Sequence, residues 1–408
     1  MRERDPRHIA LGILGLLGVL LYVLSCRPAW SPDSSKVLFR YCNPETDETG
    51  VALYDRNTGA VRSIFSRQLG DEKCTEGSPS AAWSDDGSRA IIVWGETREK
   101  KRKNPSTRKM EIVKTTVARV EIFPVEGAGK KSHFKLRRFQ LSDAVSMVPL
   151  AESGGNLYLT GTDKAKVLQL DLKSGKQKVR MLEGDSEPIL YSHDGHITYG
   201  RDSAENSDDA ELGELDTTDL SLHSGFVLKK KSLEAQGVSK FTGFIAFEPH
   251  GDRLAMPAVG EDKKARILMC NRRGLEQVLK PEFADPASRL GNLEWSGDDN
   301  TLYAMVVIPT EKKGMVQYSL GEIPLDGGPV RLTPIVRANI SSDDALLPFQ
   351  ISISPDGSTI AASTAHFDKD DIEPSNRGLF LVDLSDPGRK VTRIQYPPMT
   401  GEKKTARE

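Results

Sequence analysis

A phrase built around an Asp or Gly turn recurs along the chain and constrains its fold more than any other feature. Its clearest copies occupy residues 28–39, 82–92 and 351–361. In each copy a short apolar segment precedes the turn and a longer apolar segment follows it. Pro, Asp and Gly supply the backbone angles that a tight reversal requires. The copies are therefore predicted to be pairs of antiparallel strands.

Four further copies extend the pattern. They occupy residues 190–199, 244–255, 293–304 and, in degenerate form with Gly154 and Gly155 at the turn, 147–159. A second hairpin follows each phrase and is clearest at residues 52–62, 167–179 and 380–391. Two hairpins make one four-stranded sheet, and a period of roughly 40 to 65 residues is typical of sheets arranged radially. The sequence predicts an all-β fold, a single β-propeller over residues 27–396, with seven blades expected and six or eight left open.

The copies at residues 28–39 and 351–361 resemble the WD40-like (PD40) repeat of TolB-type propellers. The hallmark of that repeat is an apolar position followed by Trp-Ser-Pro-Asp-Gly and a buried strand. The resemblance runs from about Pro28 to Tyr396 and implies a blade rather than an activity. The separate α/β domain of TolB and the hydrolase domain of peptidase propellers are not expected here, so we expect neither a TolB role nor a peptidase.

The N-terminal segment, residues 1–26, is predicted to be a signal peptide or a signal-anchor transmembrane helix. Residues 9–25 form an apolar run that follows three arginines, a pattern typical of exported chains. At 1.5 Å per residue a helix of this run spans about 25 Å, slightly less than the roughly 30 Å of a bilayer core. Residues 23–26 also look like a lipobox, which leaves lipidation of Cys26 as an alternative. The propeller is expected to be exported to the bacterial periplasm or cell envelope, and residues 397–408 to form a disordered tail.

The remaining cysteines give a hint about the compartment. A disulfide between Cys42 and Cys74 would close about 30 residues and stabilise the fold by roughly 3 to 4 kcal/mol in an oxidising space. Two unpaired thiols are the alternative. Cys270 lies within an apolar strand and is expected to be a buried thiol.

Charge and motif content exclude several classes of function. With 56 basic and 58 acidic residues the chain has no net charge suited to nucleic acid. No Gly-x-Ser-x-Gly motif is present. His193 and His196 come closest to a metal pair but flank a turn without a further ligand nearby. We therefore predict no catalytic residue, no cofactor and no metal site.

Three insertions, at residues 96–109, 202–219 and 367–376, are predicted to lie between second and third strands and so on one face. Their charges differ, which suits a partner with its own charge pattern. The basic insertion could also contact anionic lipid head groups. Long solvated loops without a binding role are the alternative. The candidate partner-binding residues are Arg98, Lys100, Lys101, Arg102, Lys103, Asp208, Asp209, Glu211, Asp368, Asp370 and Asp371.

The sequence favours a non-catalytic envelope propeller that binds a protein partner through this face and reaches the membrane through its N-terminal segment. The alternative is a propeller enzyme, similar to a lactonase or a glycan-cleaving propeller, with its site at the mouth of the central channel. Four inner-strand aromatic residues, Trp30, Trp83, Phe247 and Trp295, are expected to pack between blades rather than stack on a ligand.

Overall fold

The chain folds into seven antiparallel sheets, as a computed structural model shows. The structure describes residues 27–43, 48–68, 79–103, 110–126, 131–141, 148–160, 166–182, 191–193, 196–201, 209–241, 245–339, 350–364 and 372–397. Each sheet is built from strands that are consecutive in the sequence. This confirms the predicted all-β propeller and its count of seven blades.

The first four blades follow one pattern, in which the first strand pairs with the second, the second with the third and the third with the fourth. Blade 1 contains β1 (Ala29–Trp30), β2 (Lys36–Asn43), β3 (Glu48–Asp55) and β4 (Val61–Gln68). Blade 2 contains β5 (Ser80–Trp83), β6 (Arg89–Lys103), β7 (Met110–Pro124) and β8 (Ser132–Leu141). Blade 3 contains β9 (Val148–Ser153), β10 (Asn156–Thr160), β11 (Lys166–Asp171) and β12 (Gln177–Met181). Blade 4 contains β13 (Tyr191–His193), β14 (His196–Arg201), β15 (Ala210–Asp216) and β16 (Leu222–Leu228).

The last three blades complete the ring. Blade 5 contains β17 (Val238–Phe241), β18 (Ala246–Phe247), β19 (Leu254–Gly260), β20 (Ala265–Asn271) and β21 (Gly274–Leu279). Blade 6 contains β22 (Arg289–Trp295), β23 (Thr301–Pro309), β24 (Met315–Pro324) and β25 (Arg331–Asn339). Blade 7 contains β26 (Ile351–Ile353), β27 (Thr359–Ser363), β28 (Leu379–Asp383) and β29 (Val391–Ile394). One α-helix, α1 (Lys230–Ala235), leads from blade 4 into blade 5, and a 3-10 helix (Pro374–Asn376) precedes β28.

Blade 5 differs from the others because its first strand is interrupted. Both β17 and β18 pair with β19, at its end and its start respectively. They are therefore two pieces of the same inner strand, and the blade keeps a four-stranded architecture.

The degenerate phrase of blade 3 forms the predicted reversal. Gly154 and Gly155 have φ of 56° and 80°, in the left-handed region that glycine adopts without steric cost. They allow β9 to turn directly into β10, with Ser153 opposite Asn156. The prediction of a seventh blade at this position is confirmed.

In blades 1, 2 and 6, a tryptophan of the repeated phrase joins the blade to the one before it. The indole Nε1 of Trp83 donates to the backbone oxygen of Ala29 at 2.8 Å, and that of Trp295 donates to Ala246 at 3.0 Å. Trp30 makes the same bond across the ring, to the backbone oxygen of Ser352 at 3.1 Å. In every case the acceptor lies in or beside the first strand of the preceding blade. The expectation that these aromatic residues pack between blades is confirmed for the three tryptophans.

The ring closes by side-chain packing between blades 1 and 7. One apolar cluster combines Trp30, Phe39 and Tyr41 of blade 1 with Leu379 and Leu381 of blade 7. The ring of Tyr396, after the last strand, lies 6.2 Å from Phe39 and 6.0 Å from Tyr41, centroid to centroid. Among the described strands, none crosses from one terminus into the other terminal blade.

The two predicted terminal segments lie almost wholly outside the described residues. These are the predicted signal segment 1–26, including Cys26, and the predicted tail, of which only Pro397 is described and is buried. None of the helices within the described part of the chain combines the length and the apolar character needed to cross a bilayer.

Candidate interaction surface

The propeller has two faces of different construction. The turn between first and second strands and the turn between third and fourth strands lie on one face, here called the turn face. The hairpin between second and third strands and the connection between blades lie on the other, here called the hairpin face. This assignment follows from the antiparallel order of the strands in each blade.

Side-chain hydrogen bonds close the turns of the turn face. In blade 2 the Ser84 hydroxyl donates to Asp86 Oδ1 at 2.6 Å and accepts from the backbone N–H of Arg89 at 3.0 Å. Asp86 Oδ1 also accepts from the backbone N–H of Ser88 at 3.0 Å. Blades 1, 6 and 7 repeat this arrangement at Ser31 and Asp33, Ser296 and Asp298, and Ser354 and Asp356.

These bonds lower the pKa of the turn aspartates. The Ser84 hydroxyl contributes most to lowering the pKa of Asp86 to about 2, followed by the backbone N–H of Ser88. The Ser31 hydroxyl has the same leading part in lowering the pKa of Asp33 to about 2. Hydrogen bonds to an ionised carboxylate favour its charged form. The carboxylates of the repeated phrase are therefore parts of the fold rather than proton donors.

Ion pairs between neighbouring blades add to the turn face. Arg56 of blade 1 lies 3.2 Å from Asp356 of blade 7, and Arg389 of blade 7 lies 2.8 Å from Glu322 of blade 6. Arg389 binds Glu322 through two nitrogens, with the second contact at 2.9 Å, which is the bidentate geometry that makes such pairs strong. Hydrogen bonds within blades and ion pairs between blades thus stabilise the turn face.

The hairpin face carries a two-stranded ribbon that projects from blade 2. The pairing of β6 with β7 is continuous from Arg89 opposite Pro124 to Lys103 opposite Met110. The first strand β5 reaches only Val93, and the fourth strand β8 reaches only Thr116. Among the described strands, residues 98–103 and 110–115 therefore pair only with each other. These six residue pairs, here called the basic ribbon, are about 20 Å long at roughly 3.4 Å per residue.

The basic ribbon holds all five basic candidate residues of blade 2. Arg98, Lys100, Lys101, Arg102 and Lys103 lie on β6, not in a loop, so the prediction of an open insertion from residue 96 is wrong up to residue 103. The reason is that pairing with β7 continues beyond the blade and overrides the low strand preference of Lys. With Lys114 added and Glu99 and Glu111 subtracted, the ribbon has a net charge of +4 (6 − 2). Met110 at its end is 63% exposed.

The acidic candidates of blade 4 are only partly gathered on the hairpin face. Glu211 lies on β15, so the predicted insertion 202–219 ends by Asp209 and its second half is strand and turn. Asp209 is half-buried and accepts a hydrogen bond at 3.0 Å from the backbone N–H of Lys230, the first residue of α1. Asp208 lies outside the described residues, as do Asp368, Asp370 and Asp371 of blade 7.

A buried ion pair lies at the central channel. Arg27 precedes β1, and its guanidinium is 2.5 Å from Glu294 on β22. Blades 1 and 6 are separated by blade 7, so their first strands approach each other only around the channel. Burial raises the pKa of Glu294 to about 7, against the opposing effect of Arg27. Glu294 is charged, whereas its described counterparts in the other blades are uncharged; they are Ala29, Ala82, Ala151, Tyr191, Ala246 and Ser352.

Polar side chains of blade 7 lie close to this pair in the fold. Gln350 and Ser352 are 2% and 3% exposed, and the Gln350 amide and the Ser352 hydroxyl have no hydrogen-bond partner among the described residues. Ile351, between them, faces the cluster shared with blade 6, so the two polar residues lie on the opposite side of β26. Around the channel, Glu294, Arg27, Gln350 and Ser352 thus supply a carboxylate, a guanidinium and uncharged polar groups. None of these residues was predicted from the sequence, although a Glu at a position that is uncharged in the other described blades was a usable signal.

The described part of the chain brings no three His, Cys, Asp or Glu residues into a metal-binding group. His193 and His196 face each other across the turn of blade 4, as the sequence suggested. Cys42 is disulfide-bonded, while the predicted partner Cys74 lies outside the described residues, so that pairing stays a prediction. Cys270 is a buried free thiol, and burial raises its pKa to about 12, as expected for a structural cysteine.

Comparison with solved structures gives the fold and not the family. An ulvan lyase of polysaccharide lyase family PL25 has a TM-score of 0.53 and 10% identity, with 90% of this chain and 93% of that chain covered. Hydrazine synthase of Kuenenia stuttgartiensis has a TM-score of 0.50 and 13% identity, with 89% and 96% covered. A prolyl endopeptidase has a TM-score of 0.49 and 12% identity, and this chain covers 46% of its length, about half. Similarity at this level of identity extends to the propeller architecture alone.

No protein-family model matches the chain, and no curated protein matches it. The resemblance to WD40-like repeats is confirmed as far as the seven-bladed propeller. Membership of the TolB-type family stays a prediction. The chain is a seven-bladed β-propeller of four-stranded blades.

Proposed function

We propose that this protein is a non-catalytic interaction module of the bacterial cell envelope, which binds a protein partner through its hairpin face. The observation that supports this most is the difference between the two faces. Short, hydrogen-bonded turns form the turn face, whereas the hairpin face carries the projecting basic ribbon. The acidic insertions predicted in blades 4 and 7 connect the second and third strands of those blades in the sequence. Oppositely charged segments on one face favour a partner whose own charges are complementary, chiefly by orienting the encounter.

A propeller enzyme with its site at the channel mouth is the second reading. Catalysis there would require converging acid, base or nucleophilic groups. The described channel residues supply the Glu294 carboxylate, which Arg27 engages at 2.5 Å. This arrangement supports a structural role better than general acid–base chemistry. The interaction module is therefore the function that the described geometry favours.

Chemical cross-linking in intact cells tests the proposal. The native chain is compared with a deletion of residues 203–208, which leaves β14 and β15 to be joined by a short turn, and with Asp370→Asn combined with Asp371→Asn. The expected result is a defined protein captured by the native chain and lost or strongly reduced in both variants. Matched controls carry Asp252→Asn and Asp326→Asn, two exposed carboxylates of the turn face, and should capture the partner normally.

The proposal is wrong if both hairpin-face variants capture the same protein as the native chain. It is equally wrong if the turn-face control loses the partner while the hairpin-face variants retain it. Circular dichroism of each purified variant checks that the propeller is folded, so that loss of capture is not a loss of structure.

A further inference from the structure

The chain enters the propeller at the same face from which the basic ribbon projects. Arg27 precedes β1, and β1 runs from the hairpin face to the turn at Ser31. The ion pair between Arg27 and Glu294 fixes this entry point at the channel. Strand β6 runs in the opposite direction, from the turn at Ser84 towards the hairpin face, and continues beyond the blade as the ribbon. Both features therefore lie on the hairpin face.

The connection that follows residues 9–25 is short and the basic ribbon is long, so both can reach the surface of one bilayer. The apolar run of residues 9–25 ends four residue steps before Ala29, which allows at most about 14 Å of extended chain. The basic ribbon extends about 20 Å beyond its blade. If the apolar run lies in a bilayer, the channel mouth is held so close to that bilayer that the ribbon must reach its surface.

We infer that the basic ribbon lies on an anionic lipid bilayer and holds the hairpin face towards the membrane to which residues 9–25 attach the chain. This inference rests on the membrane attachment and envelope location proposed above, and not on the protein partner. A ribbon of net charge +4 on a flat anionic surface brings several cations to head groups at once. Each Lys or Arg near such a surface strengthens the contact about fivefold.

The register of the ribbon favours a surface over a single protein strand as its partner. Successive residues of a strand lie on opposite faces, so Arg98, Lys100 and Arg102 share one face and Lys101 and Lys103 the other. Lysines along an edge also discourage the addition of a further strand. Because cations lie on both faces, either face of the ribbon presents positive charge to a flat anionic surface.

Fluorescence quenching on the full-length protein tests this contact. A fluorescent non-natural amino acid replaces Met110, at the exposed end of the ribbon, or Asn57, on the exposed turn of blade 1 at the opposite face. The protein is reconstituted in nanodiscs of phosphatidylcholine, with or without phosphatidylglycerol, that contain a quencher on the head groups. The expected result is strong quenching at position 110 in anionic discs, several-fold more than at position 57, and its loss at high salt.

A pair of charge variants separates a specific contact from general attraction. Changing Lys100, Lys101, Arg102 and Lys103 to Gln should abolish the quenching at position 110. The matched control changes four exposed cations of blade 3, at the turn face and the outer strand, to Gln and should retain it; these are Lys173, Lys176, Lys178 and Arg180. Because only the lipid head groups carry the quencher, contact with the scaffold protein of the discs cannot produce the signal.

Equal quenching at positions 110 and 57 in anionic discs would overturn the inference. So would quenching at position 110 that persists in phosphatidylcholine discs and in the ribbon variant. Either result leaves the protein-partner proposal standing if the variants of blades 4 and 7 still lose their partner in cells. Conversely, ribbon quenching without any captured protein would support the lipid contact and count against the partner.

Discussion

The turn face and the hairpin face are made from the same strands, yet different interactions determine them. On the turn face, Ser84, Asp86 and their counterparts close the first reversal of blades 1, 2, 6 and 7 within six residues of sequence. On the hairpin face, the strands of blade 2 continue past their own sheet as a charged ribbon. Local bonds that repeat from blade to blade stabilise one face, and the other is free to vary in length and charge. We conclude that the repeated stabilising hydrogen bonds lie on the turn face, whereas the hairpin face differs from blade to blade.

Replacing Trp30 by Ala should have the largest effect on stability, because Trp30 closes the ring beside the turn face. The change leaves a cavity in the cluster between blades 1 and 7 and removes the hydrogen bond to Ser352. Loss of a buried Trp costs about 3 to 5 kcal/mol of unfolding free energy. Urea unfolding followed by circular dichroism measures the change.

Trp30→Phe is the matched variant, because it keeps most of the apolar area and loses only the indole N–H. It should cost about 1 kcal/mol, the net value of one hydrogen bond. If Trp30→Ala lowers the unfolding free energy less than Trp30→Phe does, then Trp30 does not contribute to closure of the ring.

Glu294 should make the protein less stable as the pH rises from 5 to 8. Burial raises its pKa to about 7 from an ordinary value of 4.5. A raised folded-state pKa gives stability that is fully present below the unfolded pKa and is lost as the pH rises through the folded pKa. The loss is about 3 kcal/mol, at roughly 1.4 kcal/mol for each pH unit between the two pKa values.

Unfolding free energies at pH 5 and pH 8 check this pH dependence. Glu294→Gln keeps the shape of the side chain without the charge, and should remove most of the loss relative to the native chain. Arg27→Gln should steepen it, because Arg27 lowers the pKa of Glu294. The same pH dependence in the native chain and in Glu294→Gln would exclude Glu294 as its source.

Asp86→Ala should destabilise the protein more than removal of a carboxylate on the opposite face. It deletes the acceptor for the Ser84 hydroxyl and the Ser88 backbone N–H. Side-chain bonds of this kind at turns and caps contribute about 1 to 2 kcal/mol. Glu311→Ala, at the exposed hairpin of blade 6, is the matched control and should cost less than about 0.5 kcal/mol. Equal costs in thermal unfolding would contradict the separation of the faces.

The sequence predicted the turn face better than the hairpin face for a physical reason. Turn residues act on their immediate neighbours, so Gly154 and Gly155 could be recognised even in a degenerate copy. The extent of β6 depends on its pairing with β7, and nothing local to the Lys-rich segment favours a strand. The ion pair of Arg27 with Glu294 joins the start of blade 1 to blade 6, and only the closed ring brings them together. From the sequence, Glu294 could be recognised as unusual at its position, but its partner Arg27 could not be identified.

Neutralising the basic ribbon should have the smallest effect on stability. Changing Lys100, Lys101, Arg102 and Lys103 to Gln removes like charges that lie on a segment without a third strand, and exposed changes of this kind alter the unfolding free energy by about 0.5 kcal/mol or less each. Relief of repulsion between neighbouring cations could even raise it slightly. Urea unfolding of this variant beside Trp30→Ala gives the sharpest contrast between the two faces. If this variant loses as much unfolding free energy as Asp86→Ala, the ribbon stabilises blade 2. The hairpin face would then contribute to the stability of the propeller, and the ribbon would not be a surface kept for partners.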